Sequence, residues 1–188
     1  MKIDARVIKT KEKFKEALKE LILDNENIEE ISVKKLCEKA NLNRGTFYLH
    51  YNNVDDVLNE IMSDFTSDLN EKSGVYNRTS DIRKFVELFF EMAKENPYFE
   101  KIITTPHNAY LNEKYRKIGL KQLDEHGNFN PLESYDSTTR NILEKYFHNT
   151  LTLCFIEWVR NNRVIPYNEI IDLTVELISN GIKSIMKQ

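Results

Sequence analysis

The chain has 188 residues, 40% hydrophobic and 30% charged, with a formal net charge of -3; this length holds one large domain or two small ones around a buried core. With only 5 Gly and 4 Pro and many Lys, Glu, Leu and Ile, long helices are favoured over a turn-rich β architecture. No run of 18 apolar residues is present, which excludes a membrane-spanning helix, and the opening Met1, Lys2, Ile3, Asp4 lacks an apolar signal segment, so a cytoplasmic location is expected.

The charge is unevenly spread. Lys2, Arg6, Lys9, Lys11, Lys13 and Lys15 face only Asp4 and Glu12 in the first fifteen positions, and Lys34, Lys35, Lys39 and Arg44 face only Glu38 between residues 32 and 51. A basic end on an acidic body suits a protein that turns one face toward phosphates. Cys37 and Cys154 both fall in apolar helical patterns with no near partner, and are read as reduced core residues.

A first helix is predicted from about Thr10 to Asp24, because Phe14, Ala17, Leu18, Leu21 and Ile22 form one stripe at helical spacing. A short acidic loop follows, from Asn25 to Glu30. Ser32 is a good N-cap for a second helix, with Ile31 placed to staple onto Leu36 and with Val33, Leu36, Cys37 and Ala40 inward. That helix stops at Asn41, which tolerates the left-handed conformation. A third helix begins after Asn43, its cap; Phe47 and Tyr51 face inward, leaving Arg44, Thr46, Tyr48, Leu49 and His50 on the other faces. Asn53 caps a fourth helix with Asp55 and Asp56 in its first turn, where the dipole favours them, and an apolar face of Val54, Val57, Leu58, Ile61 and Phe65.

Residues 73–79 read as a loop. A helix from Ser80 to about Glu95 ends at Asn96 and Pro97, which opens a short helix to about Thr104. Residues 107–123 are predicted helical and 124–135 a loop. The final helices span about 136–162 and 167–187. They are apolar over more than one face, so each must bury two sides, one in its own core and one against a partner chain. A homodimer built on these two helices is the expectation.

Two capped helices joined by three residues make a helix-turn-helix. Arg44 has the shape and charge to pair with guanine edges. Gly45 costs about 1 kcal/mol of helix propensity and offers close backbone approach in return. Thr46, Tyr48 and His50 supply donors for phosphate oxygens.

The run from Ser32 to Tyr51, SVKKLCEKANLNRGTFYLHY, resembles the DNA-binding motif of the TetR/AcrR family, most specifically from Arg44 onward. The N-terminal likeness covers about residues 8–68. The run from Phe155 to Tyr167, FIEWVRNNRVIPY, with the helix after it, is similar to the C-terminal region of a subfamily. The resemblance implies an all-α fold: an N-terminal three-helix DNA-binding domain (8–68), then a C-terminal helical ligand-binding and dimerisation domain (69–188). It implies a ligand-responsive repressor that binds a palindromic duplex operator as a homodimer. Lys34, Arg44, Gly45, Thr46, Tyr48, Leu49 and His50 are the implied DNA-contacting residues. Two positions depart from the family pattern. Asn41 stands where Gly is usual, and Val54 stands where many members carry a phosphate-binding Lys; Lys9, Lys11 or the amides of the fourth helix are the expected substitutes.

The same resemblance implies a small-molecule effector in the C-terminal half. Phe85, Phe89, Phe90, Tyr98, Phe99, Tyr110, Tyr115, Tyr146, Phe147 and Trp158, with His107 and His148, form an aromatic set able to line such a pocket. Phe89, Tyr110, Tyr146, Phe147 and Trp158 are the candidates. Each also suits a packed core. No nucleophile elbow, phosphate loop, dinucleotide fingerprint or zinc-protease motif is present, so neither catalysis, a cofactor nor a metal is expected. The alternative reading is a helical adaptor that uses its basic end for protein contacts.

Overall fold

The computed structural model describes residues 5–24, 30–73, 81–105 and 135–186. The sequence expectations for the basic residue Lys2, for the loops at 25–29 and 74–79, and for His107, Tyr110, Tyr115 and the helix and loop at 107–134 lie outside them. Among the described residues there are eight helices and no strand. They are α1 (Ala5–Asp24), α2 (Val33–Ala40), α3 (Arg44–Tyr48), α4 (Val54–Ser73), α5 (Ile82–Lys94), α6 (Pro97–Thr104), α7 (Ser137–Arg160) and α8 (Tyr167–Met186). The all-α expectation therefore holds. None of the described helices is long and apolar enough to cross a membrane.

The chain divides into two compact units. One comprises residues 1–65 with 97–105; the other comprises 66–96 with 106–188. The division falls within α4, and α6, which follows α5 in sequence, belongs with the N-terminal helices.

In the first unit the core is the predicted stripe of α1: Phe14, Leu18 and Ile22 are wholly buried, with Leu36 of α2 and Phe47 of α3. α1 starts a turn earlier than expected. Ala5, Arg6, Ile8 and Lys9 are exposed, so no buried stripe marks those first turns, yet the backbone is already helical. α6 packs on α1 and is secured at three points. Phe99 stacks on Phe65 at 3.6 Å between ring centroids, the Lys19 ammonium lies 4.9 Å from the Tyr98 ring centroid, and the Lys101 ammonium donates to the Leu23 carbonyl.

In the second unit α8 packs against both α5 and α7. An aromatic cluster fills the space. Phe89, Phe90 and Phe155 meet edge to face, and Trp158 and Tyr167 close on Phe90. Arg83 of α5 pairs with Asp172 of α8 at 2.5 Å. The two-sided character predicted for α7 is present: Leu143, Phe147, Leu151 and Phe155 are buried, while Ile142, Tyr146 and Leu153 are exposed. On α8, Ile170, Ile171 and Ile178 are buried and Leu173 and Leu177 exposed. Cys37 and Cys154 are buried free thiols, as predicted; burial pushes both thiols up.

Candidate nucleic-acid interface

The helix pair α2–α3 is shaped by its caps. The Ser32 hydroxyl accepts from the Lys35 amide at 3.2 Å, satisfying one of the donors that a helix start leaves open. At the other end Asn41 adopts φ 52°, ψ 46°. Its amide bonds the Glu38 carbonyl and the Leu42 amide bonds the Cys37 carbonyl, the paired pattern of a left-handed helix stop. Two residues later the Asn43 side chain accepts from the Thr46 amide at 2.7 Å and from the Thr46 hydroxyl at 3.1 Å. A three-residue turn between two capped helices fixes their crossing without any apolar residue in the turn beyond Leu42.

α3 is held by its own buried aromatics. Phe47 has no exposed surface and Tyr51 almost none. Phe14 of α1 meets both rings edge to face, at 5.3 and 6.1 Å. Such contacts are worth about 0.5–1.5 kcal/mol each beyond area. The opposite face of α3 is open. Arg44 and Gly45 are exposed, Tyr48 is 53% exposed and Leu49 is 79% exposed. Thr46 and His50 are half-exposed. Lys34 on α2 is exposed and only 4.0 Å from Glu38, a separation at which surface pairs contribute little. The structure brings Lys34, Arg44, Gly45, Thr46, Tyr48, Leu49 and His50 onto the α2–α3 pair. Apart from half-exposed Thr46 and His50, they are open to solvent.

Behind α3 lies an ion network that the residue pattern does not announce. The Tyr51 hydroxyl donates to the Glu60 carboxylate of α4 at 2.9 Å, and the Lys11 ammonium of α1 donates to the same oxygen at 2.9 Å while lying over the Tyr51 ring. One turn along, Lys15 is buried and binds Asp64 at 2.6 Å and Glu12 at 2.7 Å. Burial would raise the Glu60 pKa; the bonds from Lys11 and Tyr51 outweigh it and hold the carboxyl below its usual range. Burial, then Glu60, pushes the Tyr51 hydroxyl up. Lys15 is pushed up because Asp64 and Glu12 outweigh its desolvation. Lys39 is likewise turned onto Glu20 and Asp24 of α1.

Lys11, one of the expected substitutes for the phosphate contact missing at Val54, is paired with Glu60 in the structure. At the start of α4 the Asn53 side chain accepts from the Asp56 amide at 2.9 Å, and the Asp56 carboxylate accepts from the Asn52 amide and side chain. A buried tyrosine hydroxyl at position 51, where a plain hydrocarbon ring would fill the core, was the one sequence signal that a polar partner had to exist.

The effector candidates fall differently. Phe89 packs on Phe155 and Phe147 on Phe85. Tyr146 is 37% exposed and donates to the Leu177 carbonyl at 2.6 Å. Trp158 is buried, donating to the Ile165 carbonyl at 2.8 Å, and it lines an open apolar groove of about 310 Å³ together with Leu153, Cys154, Ile170 and Leu173. Among the described residues no group of three or more His, Cys, Asp or Glu is placed to hold a metal ion.

No family model matches the chain. The HTH-type transcriptional regulator YxbF of Bacillus subtilis is 32% identical over 56 residues, which is 30% of this chain and 15% of that protein; the likeness thus spans a small part of the relative. Two solved structures align over nearly the full length. The fatty acid degradation regulator FadR of Bacillus halodurans superposes with a TM-score of 0.65 at 16% identity, covering 96% of this chain and 98% of its own. A TetR-family transcriptional regulator of Syntrophomonas wolfei gives 0.66 at 15% identity, covering 90% and 93%. The chain has the all-helical fold of the TetR-family regulators.

Proposed function

We propose that the chain is a DNA-binding transcriptional regulator, a homodimeric repressor that reads a near-palindromic operator. The observation that carries this reading is the division of α3 into two faces. Phe47 and Tyr51 anchor one face in the core, and Arg44, Gly45, Tyr48 and Leu49 leave the other open at the point where a major groove would be entered. The guanidinium of Arg44 would pair with a guanine edge, Lys34 would touch a base or phosphate, and Thr46, Tyr48 and His50 would fix register on phosphates.

The residues of 8–68 form the reading head in this proposal, and those of 69–188 serve dimerisation and effector binding. The dimer is supported by Ile142, Tyr146 and Leu153 on α7 with Leu173 and Leu177 on α8, which remain exposed in the single chain. An apolar surface of this kind on two adjacent helices is what a second copy covers. A small apolar effector would occupy the second unit and act by its difference in affinity for two head spacings.

Selection of bound sequences from a random duplex pool tests the reading. Enrichment of two inverted half-sites about 10 base pairs apart, or a multiple of that, is expected. Failure to enrich any sequence, or a monomer by light scattering at micromolar concentration, overturns it.

A further inference from the structure

The open face of α3 is extended by one DNA-contacting candidate to which no specific contact has been given. Leu49 is 79% exposed, the most exposed of the large apolar residues among the described residues of the first unit. At 100° per residue, Arg44, Tyr48, Gly45 and Leu49 occupy, in that order, a continuous arc of about 140°, and all four are exposed. Leu49 holds α-helical angles, φ -73° and ψ -19°, so it extends this face beyond the last helical residue.

A helical side chain leans toward the N-terminus and covers the turn before its own Cα. The residue one turn before Leu49 is Gly45. With no side chain at 45, and no Leu49 side-chain atom within 4 Å of where a Cβ would stand, the exposed arc is open between the Gly45 backbone and Leu49. A Cβ at 45 would meet only the Asn43 side-chain oxygen, at 3.2 Å, a close contact with the cap of α3 that a shift of a few tenths of an ångström relieves. Glycine there costs helix propensity and leaves the opening unfilled. In the major groove the apolar feature that a base presents is the 5-methyl group of thymine.

We infer that Gly45 and Leu49 form a thymine-reading notch that receives a 5-methyl group at one position of each half-site. This inference rests on the operator-binding reading above and adds a residue that sets sequence preference without a hydrogen bond. It differs from the role of Arg44, which reads donor and acceptor pattern.

The test replaces each thymine of the selected operator, one symmetric pair at a time, by deoxyuridine, which keeps every hydrogen-bonding group and lacks only the methyl. At one position the wild-type dimer is expected to lose about fourfold per half-site, the factor that burying one methyl group represents, while other positions change little. The Leu49→Ala variant, altered at an exposed site, is expected to bind the thymine and deoxyuridine duplexes alike at that position. Gly45→Ala, which fills the notch, is expected to do the same. Wild-type protein indifferent to every deoxyuridine substitution, or discrimination that persists in Leu49→Ala, overturns the inference while leaving operator binding intact. If no duplex is selected at all, the reading head and the notch fall together.

Discussion

The Tyr51 hydroxyl and the Glu60 carboxylate, nine positions apart, meet at 2.9 Å and join the residue that follows the open helix to the middle of α4. Lys11 completes the contact from α1, so α1 and the residue after α3's last turn converge on one carboxylate oxygen of α4. Part-burial makes each bond dependent on the others: with one partner removed, the remaining charge stays partly desolvated.

Tyr51→Phe is therefore expected to destabilise the protein by about 1 kcal/mol, the usual net value of one hydrogen bond. Glu60→Gln should cost a similar amount, since Glu60 is about 30% exposed and solvent screens its charge. The pH dependence separates the two. The folded pKa of Glu60 is depressed below its ordinary 4.5; its contribution is therefore fully present above that value and lost as pH falls through the folded pKa. In urea unfolding, the gap between wild type and Glu60→Gln should hold constant from pH 7 to about 5 and close in more acid solution. A gap unchanged at pH 3 would show that the carboxylate charge is not what matters.

Asn41 supplies a second test. Its φ of 52° lies where most side chains cost about 1–2 kcal/mol and where Asn and Gly are tolerated. Asn41→Gly should fall within a few tenths of a kcal/mol of wild type, whereas Asn41→Ala should lose about 1 kcal/mol. Equal stability of the two variants by urea denaturation would mean that the turn relaxes out of the left-handed region.

The short-range features of this fold were legible in the chain. Ser32, Asn43 and Asn53 cap the helices they were expected to cap, because a cap is decided within three residues of itself. The inward pair Phe47 and Tyr51 follows from one helical turn. What was not legible depends on distance along the chain. The grouping of α6 with α1 and α4 rests on Lys101 meeting the Leu23 carbonyl and Phe99 meeting Phe65, pairings with no local signature. Lys11 and Lys15 read as part of a basic face, and periodicity cannot tell a lysine facing solvent from one folded onto an acid 49 residues away. The same holds for the aromatic set. Phe89 and Phe147 carry a composition equally suited to a pocket or a core, and only their contacts with Phe155 and Phe85 show them packed.

Gly181 and Tyr146 make a coupled pair within the second unit. A Cβ added at Gly181 would overlap the phenol ring, with its Cζ at 2.5 Å, and would displace the hydroxyl that donates to the Leu177 carbonyl. In wild type, Gly181→Ala therefore loses about 1 kcal/mol of hydrogen bond against about 1 kcal/mol gained in helix propensity, and little net change is expected. In a Tyr146→Ala background the obstruction is gone, and the same substitution should stabilise by nearly the full propensity gain. A double-mutant cycle by urea denaturation measures the difference; additivity of the two changes would refute the contact.

Tyr48 and Arg44 should separate affinity from preference. Tyr48→Ala is expected to weaken all duplexes by about 1 kcal/mol, the loss of one phosphate hydrogen bond. Arg44→Ala should cost about 1–3 kcal/mol at one or two base pairs and relax preference there. Footprints of the Arg44 variant with unaltered sequence preference would remove that residue from base reading.

The start of α4 offers a gain-of-function test. Val54 is half-exposed and lies beside Asp55 and Asp56 in the first turn, and Lys11 is paired with Glu60. Val54→Lys should therefore add a phosphate contact. Binding to the operator should strengthen at low salt, and log affinity should fall more steeply with log salt, by about 0.9 for each phosphate neutralised. The folded protein should respond in the opposite direction, because a cation in the first turn opposes the helix dipole at a cost of about 0.3–1 kcal/mol. Tighter DNA binding by a less stable protein cannot come from a general improvement of the fold. Val54→Gln, which lacks the charge, should leave the salt slope unchanged. An unaltered slope in Val54→Lys would mean that the start of α4 does not approach the duplex, and would move the docking of the reading head away from this end.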